Sequence, residues 1–177
     1  MSDRKALVVY YSRSGTTRAL ADLITAALDA DVEELRDVHG RHGARGWLRS
    51  IFEATLARPA AIQPQRWDPS RYDLVVVGTP VWNARVSSPV RAWLRDNAGR
   101  LPQVAFFATM GGRGGEAAVA QMTELAGKLP CAMLVATADR VLGGHAIQQV
   151  AAFVRTLVRP PTFRPSPPAH AAPAHAH

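Results

Sequence analysis

The chain has 177 residues, 47% of them hydrophobic, which gives room for one domain with a proper core. Its longest apolar runs fall well short of the roughly 18 residues that a membrane-spanning helix needs. Ala6 to Tyr11 is too short for the apolar region of a signal peptide, so a cytoplasmic protein is expected. The net charge is +7 and the pI is near 10.7, but no helix-turn-helix, zinc-finger or aromatic RNA-binding signature accompanies the charge, and nucleic acid is not the expected partner.

Lys5 to Tyr11 (KALVVYY) is a continuous apolar run, as in a strand buried on both faces. It leads into Ser12-Arg13-Ser14-Gly15-Thr16-Thr17, where four hydroxyl side chains surround one glycine at the start of a helix. The first N–H groups of a helix have no intrahelical partner and face the positive end of its dipole. Hydroxyls beside them can donate to an anion's oxygens, so this stretch reads as a phosphate cradle. It lacks both the lysine of the G-x-x-x-x-G-K-[ST] loop and the spaced glycines of the dinucleotide fingerprint. Thr16 to Leu28 then predicts a helix, with Ala19, Leu20, Leu23, Ile24, Ala27 and Leu28 as its apolar face. Asp31 to Leu35, with only weak alternation at Val32 and Leu35, predicts a modest second strand at an edge.

Between residues 38 and 67 five arginines (41, 45, 49, 58 and 66) stand against one acid, Glu53, so more than half of the chain's excess positive charge lies there. Gly40, Gly43 and Gly46 punctuate a loop, after which Trp47, Leu48, Ile51, Phe52 and Leu56 share one helical face before Pro59 and Pro64. This predicts a helical insertion that packs on the domain or covers a ligand.

Tyr72 to Thr79 (YDLVVVGT) is the clearest central strand. The loop after it, from Pro80, carries Val81, Trp82 and Asn83, and Ser88-Pro89 predicts the next helix, with Ser88 as N-cap and Val90, Trp93 and Leu94 buried. Val104 to Thr109 predicts a fourth strand, followed by Met110-Gly111-Gly112-Arg113-Gly114-Gly115 and a helix bearing Ala118, Val119, Met122 and Leu125. Glycines there let backbone approach a ligand closely. Cys131 to Ala136 predicts the fifth strand, with Cys131, the single cysteine, a buried structural thiol. His145 to Val158 predicts the last helix, its face formed by Ile147, Val150, Ala151, Val154, Leu157 and Val158. From Arg159 six prolines crowd together with His170, His175 and His177, which predicts a disordered tail with no fixed geometry for a metal.

Alternating strands and helices predict an α/β fold: a doubly wound five-stranded parallel sheet in order 2-1-3-4-5 between two helical layers. In that order the loops after the first, third and fourth strands meet at one edge, where such sheets bind ligands. A phosphate at the first loop and a flat surface near Trp82 and Gly111-Gly112 describe a ligand with an anionic end and a planar end.

Tyr10 to Thr17, Gly78 to Asn83 and Thr109 to Gly114, in this order and spacing, resemble the flavodoxin family, in particular the short bacterial flavodoxin-like proteins with a helical segment between the second and third strands. The resemblance spans roughly Lys5 to Val158 and leaves the tail uncovered. It implies a bound FMN whose phosphate is held by Ser12, Ser14, Thr16 and Thr17, with the backbone of Arg13 and Gly15 nearby. It implies a ring bordered by Thr79, Pro80, Val81, Trp82 and Asn83 on one side and by Thr109, Met110, Gly111 and Gly112 on the other. No catalytic residue is named, because electron and hydride transfer at a flavin need no catalytic side chain. The family's electron carriers are acidic and dock on basic reductases, whereas this chain is basic. Three readings follow: an FMN-binding electron-transfer protein with a redox partner protein, an FMN-dependent reductase using NAD(P)H and a quinone-type acceptor, and a cofactor-free interaction domain. Oligomeric state is open, a homodimer included.

Overall fold

A computed structural model describes residues 4–36 and 62–158. The helix predicted from Trp47 to Leu56 and the Pro/Ala/His tail lie outside the described residues. The strands are β1 (Ala6–Tyr10), β2 (Asp31–Glu34), β3 (Leu74–Trp82), β4 (Arg85–Val86), β5 (Gln103–Met110) and β6 (Met133–Thr137). The helices are α1 (Thr16–Leu28), α2 (Ser88–Asn97), α3 (Gly115–Ala126), α4 (Ala138–Leu142) and α5 (Ile147–Val158), with short 3-10 turns at Pro69–Arg71 and Ala98–Arg100.

The five long strands run parallel in the order β2-β1-β3-β5-β6, and β4 pairs antiparallel with the end of β3. This is the expected order, with β5 and β6 as the predicted fourth and fifth strands. β1 is buried along its whole length because alternate side chains meet opposite helical layers. Ala6, Val8 and Tyr10 pack with Leu20, Ala21 and Ile24 of α1 and Val150, Phe153 and Leu157 of α5. Leu7 and Val9 pack with Val90, Trp93 and Leu94 of α2 and Ala118, Val119 and Met122 of α3. Fully burying a ring such as Phe106 or Phe107, which line the two faces of β5, stabilises the fold by about 1.5–3 kcal/mol each.

The structure corrects several sequence expectations. Ser87, not Ser88, is the N-cap of α2, placing Ser88 and Pro89 in its first turn. α5 starts at Ile147 rather than His145, and the separate α4 precedes it. Its buried face is Val150, Phe153 and Leu157, while Ile147 and Val158 are 60% and 62% exposed. Three apolar positions spaced by three and four residues suffice to dock a helix, and the extra apolar side chains masked that register. Likewise Leu23 of α1 and Val32 of β2 stay outside the core, 38% and 44% exposed. β6 begins at Met133, so Cys131 precedes the strand and is only partly buried; burial still raises its thiol pKa.

Candidate functional site

The loop between β1 and α1 is shaped by Ser12 and Gly15. Gly15 takes the left-handed backbone conformation (φ 93°), which a side chain would oppose, and its carbonyl accepts the first intrahelical bond, from Ala19 N, at 2.9 Å. Ser12 Oγ accepts from the N–H groups of Gly15 and Arg18, both at 3.2 Å. The N–H groups of Thr16 and Thr17, lying between those two, have no intrahelical acceptor. Ser14 Oγ and Thr16 Oγ1 sit 3.5 Å apart beside them, Ser14 exposed and Thr16 buried. Two amides without an intrahelical acceptor and two adjacent hydroxyls thus gather at the positive end of the α1 dipole, and this donor set fits a phosphate.

Thr17 is turned the other way. Its hydroxyl lies 2.7 Å from that of Thr109 at the end of β5, and both residues are buried. This bond ties the first loop to the third.

The second loop differs from the sequence expectation. Pro80, Val81 and Trp82 continue β3 instead of leaving it, and Asn83-Ala84 turn the chain directly into β4, with Trp82 opposite Arg85 and Val81 opposite Val86. Both turn residues have positive φ, 49° and 57°, the type I′ pattern that matches the twist of a two-residue hairpin. An Asn followed by a small residue between Val81-Trp82 and Arg85-Val86 was the signal available; with Ala in place of the usual Gly it is weak. Three side chains hold the hairpin. Thr79 Oγ1 accepts from Ser87 N at 3.1 Å and lies 3.0 Å from Ser87 Oγ. Gln121 of α3 donates to Ala84 O at 3.0 Å and accepts from Val86 N at 3.3 Å. Neither Ser87 nor Gln121 was singled out from the sequence.

Trp82 is partly buried. Its ring meets Tyr11 edge-on, with centroids 5.8 Å apart, and the Arg13 guanidinium carbon lies 5.9 Å from the centroid. The first two loops therefore meet through an aromatic pair. In the third loop Gly114 (φ 90°) packs on the hairpin turn: a Cβ there would meet Ala84 Cα at 2.7 Å. Gly111 and Gly112, by contrast, are exposed and have open space where a Cβ would project.

Of the residues expected at the site, Ser12, Arg13, Ser14, Gly15, Thr16, Trp82, Asn83, Met110, Gly111 and Gly112 lie at the surface or lining the three loops, at the carboxyl ends of β1, β3 and β5. Thr17 and Thr109 join these loops from within, and Thr79 is fully buried, bound to Ser87. Pro80 and Val81 are partly buried in the hairpin, Val81 packed against the core. Behind the first loop, burial and the carboxylate of Glu34 raise the pKa of Tyr10, while Arg18 pairs with Glu34.

A flavodoxin family model matches residues 5–156. The crystal structure of a flavoprotein from Lactobacillus acidophilus in complex with FMN is similar to this chain: 26% identity, TM-score 0.63, covering 80% of this chain and 97% of that one. A protein from Bacteroides uniformis is similar in fold at 20% identity and a TM-score of 0.68, covering 86% and 98% of the two chains. A WrbA-like protein from Agrobacterium tumefaciens is 14% identical, with a TM-score of 0.51 and coverage of 85% and 99%. A search of curated proteins gives no match.

Proposed function

The chain belongs to the flavodoxin family, and we propose that it binds FMN non-covalently at the three-loop edge of its sheet and works as an electron-transfer flavoprotein. One observation supports the reading: the hydroxyl-rich start of α1 is joined, through the buried Thr17–Thr109 bond and the Tyr11–Trp82 ring contact, to the loops after β3 and β5. Support for the identity of that group comes from the similar Lactobacillus acidophilus flavoprotein, which was crystallised with FMN.

The Thr16 and Thr17 amides, with the Ser14 and Thr16 hydroxyls, would hold the phosphate, and Ser12 would keep those amides aligned from behind. Trp82 and Asn83 would border the ring on the hairpin side. The backbone of Gly111 and Gly112 would approach its polar edge, since no Cβ stands between. When bound, FMN supplies the electron-accepting chemistry, and the protein supplies position and electrostatics. No side chain of this chain is assigned a proton transfer.

Titrating FMN into the purified protein and following quenching of flavin fluorescence tests the reading. Saturable binding at micromolar FMN or below is expected, with slow oxidation of NAD(P)H by the loaded protein alone. Rapid bleaching by NAD(P)H and turnover with a quinone would replace the carrier by a reductase, and absence of binding would leave a cofactor-free domain.

A further inference from the structure

Beside the proposed flavin site runs a band of arginine that the phosphate and ring contacts do not use. Arg85 stands on β4 opposite Trp82, and Arg91 and Arg95 follow one turn apart on α2. Arg113 belongs to the third loop, whose Gly114 packs against Ala84, the neighbour of Arg85. Arg85, Arg95 and Arg113 are exposed and Arg91 is half-buried. Burial, and then the charges of Arg95 and Arg85, push the Arg91 guanidinium below its ordinary pKa. The ion pairs among the described residues, Arg18–Glu34 and Arg100–Asp68, involve none of these four. The nearest acids in sequence, Asp96 and Glu116, are exposed and bound to none of them.

Like charges gathered without acidic partners destabilise the folded chain through mutual repulsion, and that cost is offset when an outside surface supplies the acids. We propose that this band, which meets the edge of the cofactor site where Arg85 stands opposite Trp82, is the docking surface for an acidic redox protein that exchanges electrons with the bound flavin. The redox part rests on the flavin reading above; the surface itself does not. Arginine and tryptophan are enriched at protein interfaces while lysine is depleted, and the band contains no lysine. A band that begins at Arg85, opposite Trp82 and beside the flavin loops, suits a partner whose own redox centre must come near the ring. Charge complementarity of this kind steers encounter and fades as salt shortens the screening length, which is about 10 Å at 0.1 M.

Native and succinylated cytochrome c carry the same haem on surfaces of opposite charge, basic and acidic. Calorimetric titration of the full chain with each, at low ionic strength and with and without added FMN, reads the surface. Binding of the succinylated form alone is expected, weakening with added salt. Combining Arg85→Glu with Arg113→Glu is expected to weaken it about tenfold or more. Combining Arg71→Glu with Arg155→Glu, an equal change of charge placed before β3 and at the far end of α5, is expected to weaken it by less than about threefold. Arg85→Gln with Arg113→Gln serves if charge reversal disturbs folding. Equal losses in the two double variants would assign the binding to net charge and overturn the docking surface. So would absence of binding, or band-dependent binding of a DNA duplex in preference to succinylated cytochrome c. Failure to take up FMN would overturn the flavin reading while the contrast between the double variants still decides the surface.

Discussion

Thr17 and Thr109, 92 positions apart in the chain, hold their hydroxyl oxygens 2.7 Å from each other inside the protein. One sits in the first turn of α1, the other at the carboxyl end of β5, so the hydroxyl-rich loop and the glycine loop are tied together from within. Thr109→Val keeps the shape and removes one partner, leaving the Thr17 hydroxyl buried and unsatisfied at a cost of about 1–3 kcal/mol. Urea unfolding should show that loss, and the double variant with Thr17→Val should recover part of it. Additive losses would mean that the two hydroxyls do not interact.

Ser14 and Thr16 present hydroxyls at the loop mouth, whereas Ser12 is occupied with the amides behind it. Ser14→Ala combined with Thr16→Ala is expected to weaken FMN binding by about 1.5–3 kcal/mol per lost donor, with less effect on thermal stability. Ser12→Ala should lower stability as well, by about 0.5–1.5 kcal/mol per lost bond, since the N–H groups of Gly15 and Arg18 lose their acceptor. A flavin titration and a melting curve on each variant separate the two effects. Unchanged FMN affinity in the first variant would move the phosphate elsewhere.

The glycines of the third loop divide by what surrounds them. Gly114→Ala brings a Cβ within 2.7 Å of Ala84 Cα in a left-handed conformation, so unfolding should become easier by about 1–3 kcal/mol. Gly111→Ala meets open space and should leave stability near wild type while lowering FMN affinity. Equal FMN affinity in Gly111→Ala would remove that residue from the ring contact.

Ala84 holds φ 57° without being glycine. Ala84→Gly relieves that strain against a larger entropy loss on folding, for a net gain of about 0.5–1 kcal/mol in urea unfolding.

At the opposite end of the sheet the Tyr72 hydroxyl donates to Asp31 at 2.8 Å. Burial, and then that carboxylate, push the Tyr72 pKa up to about 12. The unfolded phenol ionises near its ordinary value of about 10, so the associated stability is complete below that pH and is lost as the pH rises towards 12. Phenolate absorbance should show Tyr72 titrating late, as buried Tyr10 does, and Asp31→Asn should bring the Tyr72 titration alone back towards the ordinary value.

The alternation of strand and helix was legible because continuous apolar runs such as Ala6–Tyr10 and Leu74–Val77 bury both faces, and that need is written in consecutive residues. So was the hydroxyl-rich turn into α1, since its serines, threonines and glycine are adjacent in sequence. The hairpin was not. Pro80 to Asn83 read as loop because its pairing depends on Val86 and Arg85 across a turn, and on the amide of Gln121, which another helix supplies. The face of α5 was misread for a similar reason: Ile147 and Val158 are as apolar as Leu157, and only the sheet decides which of them it covers. Local composition therefore determined the five parallel strands, the principal helices between them and their order. The tertiary structure decided that Thr17 and Thr79 turn inward while Ser14 faces outward, and that Arg85 of the hairpin comes within electrostatic reach of Arg91 on α2. Those outcomes depend on contacts between distant residues, and a hydroxyl or guanidinium carries no sign of its future neighbour in its own segment of chain.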